Sequence, residues 1–126
     1  MIESFQGQLS RWVLVAKSIS SGRYGVSWFS ILSYFVAGAF FANGIPHLTQ
    51  GIAGKKFPTP FGKPPGVGLS SPVINVIWGI LNFMLSIILV RLPGGFIPGW
   101  NFESLFFFLG ALLLSVYLAL HFSHPG

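Results

Sequence analysis

Apolar residues fill this chain in three long stretches, and the few polar positions between them set the punctuation. Tyr24 to Ile45 runs 22 residues without a charge. At 1.5 Å per residue that is about 33 Å of helix, enough to cross a hydrocarbon core of roughly 30 Å. Tyr24 and Trp28 suit the interface at its start. Ser71-Pro72 supplies an N-cap and a first-turn proline, so a second helix is predicted over 72–92, halted by Pro93-Gly94-Gly95. Its one charge, Arg91, sits close enough to the end to snorkel to the interface. Asn101 and Glu103 open a third span over 102–123, with the acid favourably placed in the first turn.

The first 23 residues follow a different pattern. Ile2, Phe5, Leu9, Trp12, Ala16 and Ile19 recur at helical steps, while Glu3, Gln6, Ser10, Arg11 and Lys17 fall mostly elsewhere. This predicts an amphipathic helix lying in the membrane interface, ended by Ser20-Ser21-Gly22. The apolar run Trp12–Ala16 is too short for a signal peptide core. Between the first two spans lies a connection, 46–71, rich in Pro, Gly and Lys. Leu48, Ile52 and Ala53 keep a helical spacing, so the first span is expected to kink at Pro46 and continue as far as Gly54. No regular element is expected over 55–70, although Phe57 and Phe61 favour folding back onto the membrane surface or helix ends. A short loop, 93–101, joins the last two spans. The expectation is an all-α integral membrane bundle: one domain of three transmembrane helices with an interfacial N-terminal helix.

Composition excludes the soluble alternative. Charged residues make 7% of the 126 positions, aromatic residues 17%, and the mean hydropathy is +0.73. So few charges cannot clothe a water-soluble surface. The net charge of +5 would suggest nucleic acid in a soluble protein, but no basic-aromatic motif accompanies it, and no nucleic-acid partner is expected. The basic residues lie outside the apolar runs, where membrane lipids, anionic ones included, account for them. With no cysteine there are no disulfides, thiolate metal sites or cysteine nucleophiles.

Three spans place the N-terminus and the 93–101 loop on one side of the membrane, and the 46–71 loop with the C-terminus on the other. The second side gathers His47, His121, His124, Lys55, Lys56 and Lys63. Arg11, Lys17, Arg23 and Arg91 oppose those three lysines, a balance that favours a cytoplasmic N-terminus. Specific chemistry is expected in Asn43–Asn82, which holds six of the nine prolines. Asn75, Gly79, Asn82 and Ser86 recur at steps of 4, 3 and 4, a polar and small seam with Trp78 beside it. The asparagines read either as hydrogen-bonding glue, within the bundle or between protomers, or as the lining of a solute or headgroup site. Asn43 and His47 are four residues apart and would neighbour each other in a continuous helix. The lysines with Gly62, Gly66 and Gly68 suit lipid headgroups but lack P-loop spacing. Asn43, His47, Lys55, Lys56, Lys63, Asn75, Trp78 and Asn82 are thus the candidate contact surface.

Catalysis has few residues to draw on. Aspartate is missing and the two acids, Glu3 and Glu103, are predicted on the N-terminal side. Paired carboxylates and a Ser-His-Asp triad therefore have no members here. The histidines carry no metal-ligand spacing and no carboxylate to orient them, so no metal or cofactor is expected. An enzyme would have to be centred on His47.

The segments NGIPH (43–47), GKKFPTPF (54–61) and PPGVGLSSPVINVIWGILN (64–82) resemble a group of small bacterial integral membrane proteins of unassigned function. The resemblance spans about a third of the chain. It implies a multi-span bacterial membrane protein and brings no activity, cofactor or site; the expected location is the bacterial inner membrane. Small residues on the spans (Gly38 and Ala42; Ala111, Ser115 and Ala119) favour close helix approach and self-association. The leading functional expectation is therefore a non-enzymatic structural or accessory subunit that forms homo-oligomers. Lipid or small-solute binding or transport through the 46–71 loop and the Asn75/Asn82 seam is the second, and a small membrane enzyme the third. The three-span topology predicts that Lys17→Cys and Lys63→Cys react with an impermeant thiol reagent from opposite sides of the membrane. Labelling from one side would refute it.

Overall fold

The computed structural model describes residues 2–20, 27–94 and 97–123, with the side chains of 2, 3 and 17–20 left out of the description. The expected helix stop at 20–22, the Tyr24 start, Arg23 and His124 lie wholly or partly outside these residues. The fold is all-α. Helix α1 spans Ile2–Ser20, α2 Trp28–Ile52, α3 Pro72–Arg91 and α4 Phe102–Ser123. The last three are each long and apolar enough to cross a membrane.

Each start has a visible cause. The Ser27 side chain accepts the Ser30 amide at the head of α2, Ser71 accepts that of Ile74 at α3, and Asn101 accepts that of Ser104 at α4. Proline 46 does not end α2, which continues through it to Ile52. Thr49 returns its hydroxyl to the Ile45 and Pro46 carbonyls, at 2.8 and 3.1 Å, beside the turn that lacks a proline N–H. Gly54, at φ +72°, then takes the left-handed turn that sends the chain into the loop.

Within 55–70 the structure differs from expectation. Two short antiparallel strands form there, β1 (Phe57–Pro58) and β2 (Leu69–Ser70), pairing Phe57 with Ser70 and Pro58 with Leu69. The sequence signal for them is minimal, because two residues cannot display an alternating pattern. What closes the hairpin is polar: Thr59 and Ser70 share a buried hydroxyl–hydroxyl hydrogen bond, and the Thr59 carbonyl accepts the amides of Gly62 and Gly66.

Helix α2 is central, packing on α3 along one side and on α4 along another. Both contacts are close because glycine backbones meet. A Cβ on Gly110 would collide with the Phe35 carbonyl, and one on Gly79 would stand 2.8 Å from the Leu48 backbone nitrogen. The interior is inverted relative to a soluble domain. The buried residues of α3 are Asn75, Gly79, Asn82 and Ser86, and its large apolar side chains mostly face outward. Lipid is the natural solvent for that outer surface. On α1 the described part of the predicted apolar stripe (Phe5, Leu9, Trp12 and Ala16) likewise faces outward, with Trp12 69% and Phe5 67% exposed.

Candidate functional site

The loop end of the bundle is assembled around two amides that are wholly buried, Asn75 and Asn82. Asn75 Nδ2 donates to the carbonyls of Phe57 (3.0 Å), Ser70 (3.2 Å) and Ser71 (3.0 Å). Those oxygens only accept, so the amide nitrogen must face them and Oδ1 must face the other way. There it meets His47 Nδ1 at 2.9 Å. An amide oxygen cannot donate, so His47 carries its proton on Nδ1, and Nε2 keeps a free lone pair. One side chain therefore joins α2, α3 and the β-hairpin.

Asn82 repeats the device two turns further along α3. Its Nδ2 donates to the Trp78 carbonyl at 2.7 Å, and its Oδ1 accepts from Asn43 Nδ2 at 2.9 Å. Ser86 continues the row by donating to the Ala37 carbonyl at 2.7 Å. The helical neighbours Asn43 and His47 on α2 thus face Asn82 and Asn75 on α3. Each interhelical bond of this kind contributes about 0.6–2 kcal/mol, while an unpaired amide in an apolar interior costs more.

The third helix joins through the loop. His121 on α4 lies 3.0 Å from the Gly66 carbonyl through Nε2, which must be the donor there. Phe57 packs against Phe122 with the rings tilted by 48° and their centres 4.7 Å apart, and it meets His47 edge to face at 5.3 Å. Phe61 meets Trp78 edge-on at 5.2 Å. Both loop phenylalanines fold onto the helix ends, as an apolar ring in a Pro-rich segment should when its alternative is water.

These contacts leave a cavity of about 210 Å³, open on one side, between the ends of the three spans and the loop. Asn43, His47, Trp78, Tyr117 and His121 contribute its polar and aromatic walls, and prolines 58, 60 and 65 its roof. Trp78 adds a conspicuous group: its Nε1–H is buried with no hydrogen-bond partner. Of the sequence candidates, Asn43, His47 and Trp78 line the cavity, while Asn75 and Asn82 stand behind it and hold His47 and Asn43. Lys55, Lys56 and Lys63 are exposed and line none of it.

Tyr117 and the pairing of His121 with Gly66 escaped sequence reasoning. Tyr117 is four residues before His121 and its ring stacks on the imidazole at 5.8 Å. That spacing is the signal that could have found it. Among the described residues no group of three or more His, Cys, Asp or Glu side chains is placed to hold a metal. Comparison with family models, curated proteins and solved structures finds no match.

If Asn75 is the joint between loop and helices, Asn75→Leu should free the loop selectively. Hydrogen exchange should then show the Gly62, Gly66 and Gly68 amides exchanging about tenfold faster or more, equivalent to about 1.4 kcal/mol, with mid-α4 amides unchanged. Uniform acceleration, or none, would contradict that role.

Proposed function

We propose that this is a multi-pass membrane protein that binds a small solute or a lipid headgroup in the cavity at the loop end of its bundle, without catalysing a reaction. The observation that carries this reading is the cavity's construction. Hydrogen-bonding side chains from all three spans converge on it, and buried amides behind them fix their orientation. A polar network buried only for stability would not need to expose an imidazole edge and an asparagine to an open cleft. The two lining imidazoles, His47 and His121, are the groups suited to proton transfer, and no carboxylate among the lining residues partners either.

The basic residues favour a cytoplasmic N-terminus, which puts the cavity on the opposite face of the bacterial inner membrane. The exposed lysines of the same loop would attract anionic headgroups to that face. Self-association keeps a narrower support. The α3 seam spends its bonds within one chain, leaving Ser115 and Ala119, four apart and exposed on α4, as the small-residue face available to a second copy.

Native mass spectrometry of protein extracted in mild detergent tests the binding reading. The wild type should carry a retained ligand, and Leu118→Trp, which fills the cavity without removing a hydrogen bond, should lose it about tenfold. Lys55→Gln/Lys56→Gln/Lys63→Gln should keep it. A ligand stripped by the lysine changes but not by Leu118→Trp would place binding on the basic loop and contradict the cavity.

A further inference from the structure

We propose that the cavity selects a neutral, hydroxyl-rich group, a vicinal diol such as the glycerol or sugar moiety of a lipid headgroup or of a free polyol. This rests on the binding reading above and specifies its ligand. The argument starts from counting donors and acceptors on the walls. His47 gives its Nδ1–H to Asn75, so Nε2 is left as an acceptor. His121 gives its Nε2–H to the Gly66 carbonyl, so Nδ1 is left as an acceptor. Asn43 commits Nδ2 to Asn82, so Oδ1 is left as an acceptor. Beside these three lone-pair groups stand the uncommitted donors of the lining residues: the Trp78 indole N–H, the second N–H of the Asn43 amide, and the Tyr117 hydroxyl, which also accepts.

A wall that carries both acceptors and donors needs a ligand that can both donate and accept. Phosphate and carboxylate oxygens, which only accept, pair with the wall donors but leave the three lone-pair groups unmatched. An ammonium group supplies donors, but no carboxylate lines the cavity to balance it, and Lys55, Lys56 and Lys63 belong to the same loop. It also offers nothing for the indole N–H to bond. A hydroxyl both donates and accepts, so it satisfies either kind of wall group. The His47 and Trp78 rings lie with centroids 6.5 Å apart, so one small polyhydroxyl group has both within reach. The volume agrees: 210 Å³ equals about seven waters at roughly 30 Å³ each, room for a glycerol or a single sugar ring. Tyr117 and the loop prolines give apolar surfaces for the C–H faces of such a group.

Lipid competition read by native mass spectrometry separates these chemistries at matched acyl chains. Phosphatidylglycerol has the diol and one negative charge, phosphatidic acid the charge without the diol, and phosphatidylethanolamine an ammonium. A glucosyl diacylglycerol has the diol without charge. The wild type should retain phosphatidylglycerol and the glucosyl lipid about tenfold or more over the other two. Trp78→Phe, which keeps an aromatic ring while removing the unpartnered N–H along with part of the indole, should erase most of that preference in a protein whose folding is checked by its circular dichroism. Saturation-transfer NMR with glycerol and methyl glucoside distinguishes the sources: a signal lost in Leu118→Trp assigns the site to free polyols, and its absence beside diol-lipid retention assigns it to lipid headgroups. Phosphatidic acid or phosphatidylethanolamine retained as well as the diol lipids, or a preference that survives Trp78→Phe, overturns the proposal. If such non-diol lipids are still lost in Leu118→Trp, the cavity reading stands and the diol assignment alone falls. If Leu118→Trp loses nothing, both fall.

Discussion

The amide of Asn75 is the point on which this structure turns. A Pro- and Gly-rich connection has little apolar surface of its own and no long run of backbone hydrogen bonds. Something must hold it against the helix ends if it is to have one conformation. Asn75 does so by taking carbonyls from both strands' neighbourhood, Phe57 and Ser70, while its oxygen receives His47 from the facing helix. Buried without exposure, it cannot exchange those partners for water. The loop, the first two spans and the tautomer of His47 are therefore fixed together.

That arrangement explains why the interior is polar and small while the exterior is apolar. In lipid, packing apolar side chains inward brings little, because the surroundings are equally apolar. Close backbone approach at glycines and buried hydrogen bonds are what hold helices together instead. Gly79 beside Leu48, with Gly44 against the Gly79 carbonyl, brings α2 and α3 near enough for Asn82 to reach Asn43 and Ser86 to reach Ala37, while Gly110 beside Phe35 brings α4 onto α2. The binding cavity is a by-product of the same geometry. At the loop end, His47 and Asn43, the side chains that clamp α2 to α3, also line the cavity.

Much of this was legible from the chain. The Ser71-Pro72 start, the Asn101 cap and the Asn75–Ser86 seam are local signals whose physics does not depend on distant contacts, and the structure has each of them. The partners of the seam were not legible. Spacing shows that Asn75 and Asn82 share a face, but which residue meets that face depends on the rotation of α2, and glycine contacts set that rotation. The two-residue strands were hidden because Thr59 and Ser70, eleven positions apart, had to meet before the hairpin could exist. Tyr117 was overlooked because a tyrosine near a span end reads as an interfacial anchor wherever it points. The lysines drew attention by charge, yet they are exposed on the loop and line none of the cavity.

The central claim is that His47 and Asn75 are coupled across the first two spans, and a double-mutant cycle reads that coupling directly. Stabilities of the wild type, His47→Phe, Asn75→Leu and the double variant should give an interaction energy of about 1 kcal/mol or more, within the range for residues sharing a network. Additive losses, with no interaction energy between the two positions, would contradict the account.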